Sequence, residues 1–481
     1  MNFPWYIRAL LAIGSAVALA VSFPDHNLWL LAWPSIGMLV LASGGSPLRQ
    51  APLYGFLHGI FFYPVGLPWI AGVIHQYGGV DFWTSWGVLC LIGLAGGIIW
   101  SSFSWSVAMV SRRRVGLACT LAPFFWVSLE FLRTHLPYIG FPWNLAGYAA
   151  SGNLALVQLT PLTGIYGLSF LIAAYGSLAA YAVIVRTPRA LNIIGATTAA
   201  LILISLLGPR LVPSPPQPRF IAHLVQTNFP QSEHYPPDWL QIHAGELEEL
   251  ERISIDAAKK SPGLIVWPEV PAPFSMQDPN FARRAVQIAR DSGAEFLVGV
   301  VDWTRSPQGE WLASNSAVLL NPAGQRTYTY NKIHLVPFGE YVPLRRWITF
   351  AGRLTADISD FTPGTVYAVG NLSGSRFGTF ICYEAIFPDE VRRFAAGGAQ
   401  LLITISNDGW FGRSAAPAQH LMMARVRAVE SRRWILRDTN NGYTVSVDPY
   451  GRIVAELPTD IRGQLDAPYD ERSDLTLYVR F

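Results

Sequence analysis

Charged residues are distributed very unevenly along this chain. Residues 1–208 contain eight arginines, no lysine and three acidic residues, although the 481-residue chain as a whole has 35 basic and 32 acidic side chains. A stretch with so few charges is suited to lipid, because a soluble domain carries charge on about a quarter of its residues. The chain therefore divides into an apolar first part and a water-compatible second part. Its 17 Trp, 19 Tyr and 26 Phe exclude a disordered protein.

Long apolar runs in the first part predict membrane-spanning helices, each needing about 20 residues to cross a hydrocarbon core of roughly 30 Å. We predict seven spans, at approximately 5–23, 28–44, 51–73, 83–110, 117–132, 161–185 and 190–208. The arginines set the orientation, because short cytoplasmic loops collect Lys and Arg. With a cytoplasmic N-terminus, seven of the eight arginines lie inside and only Arg133 lies outside. Residues after the seventh span are then expected in the periplasm or at the cell exterior.

A proline-rich stretch separates the two parts. Five prolines within 208–218 cannot continue a helix and favour an extended linker. We therefore expect a helical bundle over 1–208, a linker over 209–218 and a separate domain from 219 onward. Three cysteines are too few for a disulfide framework, and the nine histidines show no metal-ligand spacing. The sequence predicts no metal and no cofactor, and a net charge of +3 gives no reason to expect nucleic acid as a partner.

The second part alternates short apolar runs with helical patterns. Strands are predicted at 220–226, 264–267, 296–301, 316–320, 327–330, 377–381, 401–405, 444–447 and 453–456, and helices at 239–260, 281–292, 389–396 and 420–433. The sequences Asn-Pro-Ala-Gly at 321–324 and Asp-Pro-Tyr-Gly at 448–451 predict two hairpin turns. Strands that alternate with helices, together with hairpins, predict an α/β sandwich.

Polar side chains follow three of the predicted strands. Glu269 follows 264–267, Lys332 follows 327–330 in an apolar stretch, and Cys382 follows 377–381 where a helix should begin. Catalytic groups often lie on loops at strand ends, where a rigid sheet holds them. Each residue alone also has an ordinary interpretation: a solvated carboxylate or helix cap, a surface lysine and a small buried thiol.

These three segments resemble the carbon–nitrogen hydrolase (nitrilase) superfamily, with its Glu-Lys-Cys triad. The resemblance extends to a membrane branch, the apolipoprotein N-acyltransferases, in which apolar spans precede a nitrilase-like domain. Segments 225–231, 334–343, 406–412 and 439–442, with the helix that carries Glu430, also fit this branch. The resemblance implies an αββα sandwich over 219–466. Residues 467–481 form a C-terminal segment that ends where the family's usual eighth span would begin.

The resemblance also implies catalytic roles. Cys382 is assigned as the nucleophile, Glu269 as the general base and Lys332 as the group that stabilises the tetrahedral intermediate. A carboxylate within hydrogen-bond reach can take the thiol proton, and an ammonium favours both the thiolate and the later oxyanion. The backbone N–H of Tyr383, at the opening of a helix, is a candidate second oxyanion donor.

Two further carboxylates lie near the triad in the sequence. Glu340 follows Lys332, and Glu384 follows Cys382. The resemblance makes them orienting or assisting residues. An equally acceptable interpretation is an ion pair that holds Lys332 in place.

Aromatic side chains are candidates for contacting the acyl chain and keeping water from the site. Those in the loops of the second part are Phe338, Trp347, Phe350, Phe361, Trp410 and Phe411. Tyr235 lies where the family usually has a Trp, and Trp143 lies in the predicted outer loop 133–149, where it could line a lipid entry. Ordinary core packing, or interfacial anchoring for Trp143, is the alternative.

The resemblance implies acyl transfer in two half-reactions, as a ping-pong mechanism. The Cys382 thiol takes a fatty acyl chain from a phospholipid as a thioester, and the N-terminal amine of a diacylglyceryl-cysteine lipoprotein then receives it in the last step of lipoprotein maturation. The expected partners are the phospholipid donor, the diacylated apolipoprotein and the membrane. We expect a monomer in a bacterial inner membrane, with the catalytic domain on the periplasmic side. Alternatives are a membrane-tethered amidase acting on small amides and a transporter-like bundle with a degenerate outer domain.

Overall fold

Helices make up most of the described residues up to Pro213. The computed structural model describes residues 3–137, 140–215, 217–232, 235–342 and 361–481. These form two compact units: the first contains Met1–Pro213 and Arg413–Met422, and the second contains Ser214–Gly412 and Met423–Phe481. The helices of the first unit are α1 Trp5–Ala20, α2 Ala32–Ser43, α3 Ala51–Gly66, α4 Trp69–Tyr77, α5 Phe82–Ser111, α6 Val115–Thr134, α7 Thr160–Thr163, α8 Ile165–Val185 and α9 Pro188–Leu207.

Each of the seven predicted apolar stretches falls on a helix in this unit. Among the described residues, four helices are long and apolar enough to cross a membrane: Phe82–Ser111, Val115–Thr134, Ile165–Val185 and Pro188–Leu211. A fifth crossing arises if α3 and α4 count as one span, although they bend by 59° at their break. Pro68 lies at this break, where its ring interrupts the helical hydrogen-bond pattern. The two apolar helices at 5–20 and 29–43 are shorter, so the count of seven spans stays a prediction.

Glycines allow the close packing of α3 on α5. A Cβ atom at Gly55 would lie 1.9 Å from the Trp100 carbonyl oxygen, and one at Gly59 would lie 2.3 Å from the Gly97 nitrogen. In lipid, no hydrophobic effect drives helices together, so membrane helices associate largely through close van der Waals packing. Small residues at the contact allow the two backbones to approach.

Gln419, in the later segment of the first unit, is buried and uses both ends of its amide. Its Nε2 donates to the carbonyl oxygens of Pro24 at 2.6 Å and Gly66 at 3.2 Å. Its Oε1 accepts from the indole N–H of Trp143 at 2.7 Å and of Trp69 at 3.3 Å. Gly66 ends α3, so the break that follows removes its carbonyl from the helical pattern. Gln419 therefore satisfies backbone groups that the apolar surroundings leave without water.

The second unit contains all twelve strands of the described chain. They are β1 Phe220–Gln226, β2 Leu264–Val266, β3 Phe296–Arg305, β4 Trp311–Leu320, β5 Arg326–Asn331, β6 Val369–Leu372, β7 Ser375–Ile381, β8 Leu401–Ser406, β9 Trp434–Thr439, β10 Thr444–Val447, β11 Ile453–Leu457 and β12 Gly463–Tyr469. Its helices are α10 Trp239–Ile242, α11 Ala244–Lys260, α12 Pro279–Ser292, α13 Pro388–Ala396, α14 Ala416–Ser431, which begins in the first unit, and α15 Leu477–Arg480.

The strands form two six-stranded sheets, which confirms the predicted α/β sandwich. The order is β12-β1-β2-β3-β4-β5 in one sheet and β11-β10-β9-β8-β7-β6 in the other. Apolar residues of α11 and α12, such as Leu250 and Ile288, share a core with Ile265 and Phe296 of the first sheet. On the second sheet, Phe394 of α13 packs against the strand β7.

The central strands of both sheets are parallel, and this positions the site. Strand β2 pairs in parallel with β1 and β3, and β8 pairs in parallel with β7 and β9. Parallel strands bring their carboxyl ends to one edge of the sheet. The residues that follow β2, β7, β8 and β9 therefore collect at these edges.

Candidate active site

Glu269 lies just beyond the buried strand β2 and is itself buried. Its Oε1 accepts hydrogen bonds from Asn315 Nδ2 at 2.7 Å and from Lys332 Nζ at 3.0 Å, and its Oε2 accepts from the Asn407 N–H at 2.8 Å. Gly299 of β3 leaves room for this turn, since a Cβ atom there would lie 2.7 Å from the Glu269 Cα. Three donors thus fix the direction of the carboxylate.

Lys332 follows β5 and is only 1% exposed. Its Nζ lies 3.0 Å from Glu269 Oε1 and 2.9 Å from Glu340 Oε1. Burial by itself lowers the pKa of Lys332, but the two carboxylates outweigh it and raise this pKa well above its ordinary value. The side chain is therefore a fixed ammonium.

Asn315 of β4 connects the two carboxylates. Its Nδ2 donates to Glu269 Oε1 at 2.7 Å and to Glu340 Oε1 at 2.8 Å. Glu340 Oε2 also accepts from the Val336 N–H at 2.8 Å. Glu340 is thus an ion-pair partner of Lys332. Asn315 was not among the sequence-predicted residues, and its one signal is an amide between two serines in a buried stretch of strand.

Cys382 is the first residue after β7 and begins a 3-10 turn, Cys382–Ile386, with φ at +48°. A non-glycine residue in this region is strained, as is common at functional sites. Burial raises the pKa of the Cys382 thiol, and the Glu269 charge adds to the increase. The Lys332 ammonium and a hydrogen bond with the Ser406 side chain oppose it. The resting group is a neutral thiol.

The structure therefore brings the three predicted triad residues together. Glu269 and Lys332 are in direct contact, and Cys382 interacts electrostatically with both. The Tyr383 N–H belongs to the first turn after the thiol, where the expected oxyanion donor should lie. In the described part of the chain, no group of three or more His, Cys, Asp or Glu side chains could hold a metal ion.

Glu384 is buried and connects the stretch 330–334 to the end of β7. Its Oε1 accepts from the Tyr330 hydroxyl at 2.7 Å and from the N–H groups of Ile333 at 2.7 Å and His334 at 3.2 Å. Its Oε2 accepts from the Ile381 N–H at 2.6 Å. Burial raises the pKa of Glu384 to about 7, although these donors oppose the shift. Glu384 thus holds the chain on either side of the triad, whereas Glu340 contacts Lys332 itself.

The segments after β8 and β9 form a buried polar network. Asn407 Nδ2 donates to Gln231 Oε1 at 2.6 Å, and Asn440 Nδ2 donates to Asn407 Oδ1 at 3.2 Å. Asp408 forms an ion pair with Arg437 at 2.8 Å, and both side chains are fully buried. Three of the sequence segments that carry the family resemblance, 225–231, 406–412 and 439–442, therefore meet in space.

The predicted substrate-binding aromatics have varied surroundings. Tyr235 packs edge-on against Trp239, Trp410 is half-buried, and Phe338 is 51% exposed with φ at +62°. Phe361 and Phe411 are also half-buried, whereas Trp347 and Phe350 lie outside the described residues. Trp143 is buried in the first unit, where its ring stacks on His420. Their contact with substrate stays a prediction.

Two domain families match the chain, one in each part. Residues 15–178 match the family described as Apolipoprotein N-acyltransferase N-terminal domain, and residues 230–473 match the Carbon-nitrogen hydrolase family. Together the two matches cover most of the chain and keep the order of its apolar and catalytic parts.

Curated relatives match over nearly their whole length. A protein of Geobacter metallireducens named "Apolipoprotein N-acyltransferase" is 36% identical over 459 residues, which cover 93% of this chain and 87% of the relative. A protein of Azotobacter vinelandii with the same name is 35% identical over 497 residues, covering 99% and 92%. Among solved structures, an amidase from Nesterenkonia sp. matches 55% of this chain and 94% of its own at 22% identity, with a TM-score of 0.39.

Proposed function

Because the chain belongs to the apolipoprotein N-acyltransferase family, and is thus an enzyme of the nitrilase superfamily, we propose that it transfers a fatty acyl chain from a phospholipid to the N-terminal amine of a diacylglyceryl-cysteine lipoprotein. The acyl chain is carried between the two substrates as a thioester on Cys382. This reaction is the last step of lipoprotein maturation.

In the first half-reaction, the Cys382 sulfur attacks the ester carbonyl of the phospholipid. Glu269 takes the thiol proton, and the carbonyl oxygen becomes an oxyanion that the Lys332 ammonium and the Tyr383 N–H stabilise. When the intermediate collapses, the bond to the glycerol oxygen breaks and Glu269 returns its proton to that oxygen. The products are the thioester and a lysophospholipid.

In the second half-reaction, the lipoprotein amine attacks the thioester carbonyl. Glu269 takes a proton from the amine, the same two donors stabilise the oxyanion, and the C–S bond breaks as the amide forms. The proton held by Glu269 then returns to the Cys382 sulfur, which restores the resting thiol. Transfer to the amine requires that little water reaches the thioester, and the aromatic loop side chains are suited to excluding it.

The observation that carries this proposal is the buried ion pair beside Cys382, in which Lys332 Nζ lies 3.0 Å from Glu269 Oε1. The same chain also carries apolar helices of membrane-spanning length. Acyl chains must stay in an apolar phase, so a lipid substrate accounts for the helices, whereas a small soluble amide does not. We place the enzyme in a bacterial inner membrane as a monomer, with its catalytic unit in the periplasm.

Direct detection of the thioester tests the proposal. The detergent-solubilised protein is incubated with a phospholipid of defined acyl length, and the peptide containing Cys382 is examined by mass spectrometry. We expect the mass to increase by that of the acyl group, and a synthetic diacylglyceryl-cysteine peptide to remove it as an amide. The Cys382→Ser variant should show neither product.

Two outcomes would contradict the proposal. A Cys382→Ser variant with undiminished transfer would refute the nucleophile. A thioester that is discharged by water but never by the lipopeptide would instead indicate a hydrolase of the amidase kind.

A further inference from the structure

Ser406 ends strand β8, next to the end of the strand that carries the nucleophile. The parallel register pairs Ile381 with Ile405, so the residues that follow them, Cys382 and Ser406, lie side by side at the sheet edge. Ser406 is fully buried, and its side chain hydrogen-bonds to Cys382. A serine hydroxyl therefore lies against the reacting sulfur atom.

The same hydroxyl has a second partner. Ser406 Oγ donates to Asp408 Oδ1 at 2.8 Å. A hydroxyl has a single proton, so it can donate to the carboxylate or to the sulfur, but not to both at once. Which acceptor receives the hydroxyl's hydrogen bond depends on the charge that each one carries at a given stage of the reaction.

Arg437 makes the exchange feasible. Its Nη2 donates to Asp408 Oδ1 at 3.0 Å and to Asp408 Oδ2 at 2.8 Å. Asp408 therefore keeps a charged partner when the Ser406 hydroxyl turns away from it. Hydrogen bonds to charged acceptors are roughly twice as strong as those to neutral ones, so a thiolate competes for the proton far better than a thiol or thioester does.

We propose that Ser406 is a further catalytic residue, whose hydroxyl donates its hydrogen bond to the Cys382 thiolate as that anion forms and returns to Asp408 when the sulfur is acylated. The thiolate arises twice in each cycle, as the attacking group in the first half-reaction and as the leaving group in the second. Ser406 stabilises both, alongside the Lys332 ammonium. The inference rests on the proposed function only in taking Cys382 as the nucleophile.

The pH dependence of Cys382 alkylation tests this role without any lipid substrate. The full-length protein in detergent is treated with iodoacetamide over a pH series, and the Cys382 peptide is quantified by mass spectrometry because Cys90 and Cys119 are also free thiols. We expect Ser406→Ala to raise the midpoint of alkylation by about 1 pH unit, and to slow alkylation below that midpoint about tenfold. Ser406→Thr keeps the hydroxyl and should retain the wild-type midpoint.

Thr404→Val is the matched control, since Thr404 is a buried hydroxyl two residues earlier on the same strand. It should leave the midpoint unchanged. If Ser406→Ala does not fold, Ser406→Thr and Ser406→Val provide the comparison instead. Their side chains have nearly equal volumes and differ in the hydroxyl, so the alkylation midpoint of the Val variant should be the higher.

A Ser406→Ala or Ser406→Val variant with the wild-type alkylation midpoint would overturn the proposal. If such a variant had only a lowered thermal stability, Ser406 would have a structural role alone, as a hydrogen-bond partner of Asp408. An equal shift in Thr404→Val would overturn it as well. Failure of the acyl-transfer proposal is distinguishable, because alkylation needs no acyl donor and the thioester experiment needs no Ser406 variant.

Discussion

At the centre of the site, one ammonium lies between the buried carboxylate of Glu269 and the half-buried carboxylate of Glu340. Lys332 Nζ contacts Glu269 at 3.0 Å and Glu340 at 2.9 Å, and the Asn315 amide donates to both acids. The low dielectric of the interior strengthens these attractions, but it also makes any unpaired charge there costly. The arrangement holds Glu269 beside the thiol and keeps a positive charge ready for the oxyanion.

Removing the ammonium should damage both stability and chemistry. Lys332→Met leaves two carboxylates facing each other, so we expect a loss of about 3–5 kcal/mol in stability and about 100-fold or more in the rate of thioester formation. Thermal unfolding and single-turnover acylation measure the two effects. Lys260→Met, on the exposed end of α11, is the control and should behave as wild type. An unchanged acylation rate in Lys332→Met would show that the oxyanion is stabilised elsewhere.

Glu384 should give the stability a pH dependence near neutrality. Burial raises its pKa to about 7, from about 4.3 in the unfolded chain, so the folded state holds the proton more tightly. Its contribution to stability is therefore complete below about pH 4.3 and is lost as the pH rises to about 7. Glu384→Gln cannot ionise and should lose about 3 kcal/mol less than wild type between about pH 5 and pH 8.

Thermal unfolding at the two pH values measures this difference, with the exposed Glu310→Gln as the control. If the two variants and the wild type lose stability equally over this range, Glu384 is not the group that titrates.

The sequence identified some of these residues and missed others for a physical reason. Glu269, Lys332 and Cys382 each follow a strand that the local sequence predicts, so their positions at strand ends were predictable. Asn315 lies within β4 and Ser406 is the last residue of β8, and they reach the site only because strands distant in the sequence pair in a particular register. Nothing in one sequence specifies that register.

The packing of α3 on α5 depends on glycines at the contact between the two helices. We expect Gly59→Ala to lower the stability of the detergent-solubilised protein by about 1–3 kcal/mol, because its Cβ atom would lie 2.3 Å from the Gly97 nitrogen and force the helices apart. Thermal unfolding provides the measurement. Gly195→Ala in α9, where a Cβ atom meets nothing within 4 Å, should leave stability unchanged or raise it slightly. Equal effects of the two substitutions would rule out the close contact.

Elements with strong local patterns were predicted well. The nine predicted strands and both hairpins are present, and each predicted helix of the second part overlaps an observed one. Strands β6, β9 and β12 were missed. Strand β6 has four residues, including a glycine, and β9 carries Arg437 and Asp438 in a fully buried strand. Tertiary contacts, such as the Asp408–Arg437 ion pair, stabilise β9 with these charged residues in it. A local sequence pattern does not predict such contacts.

At the scale of the whole molecule, the arginine distribution predicts which side of the membrane each unit faces. In spheroplasts of cells producing a Cys90→Ser background, we expect a membrane-impermeant maleimide to label Gln308→Cys, in the exposed β3–β4 turn. The control, Arg113→Cys in the exposed α5–α6 loop, should be labelled only after lysis, because that loop is predicted to be cytoplasmic. The reverse pattern would invert the orientation and remove the catalytic unit from the periplasm.

The bundle's dependence on Gln419 limits how the gene can be divided. A protein truncated after Pro213 would carry helices α1 to α9, yet it would lack Arg413–Met422. The glutamine of this segment, Gln419, donates to the Pro24 and Gly66 carbonyls and accepts from the indoles of Trp69 and Trp143. If the chain were divided at this point and the two parts were co-expressed, we would therefore expect the first part to fold only in the presence of the second.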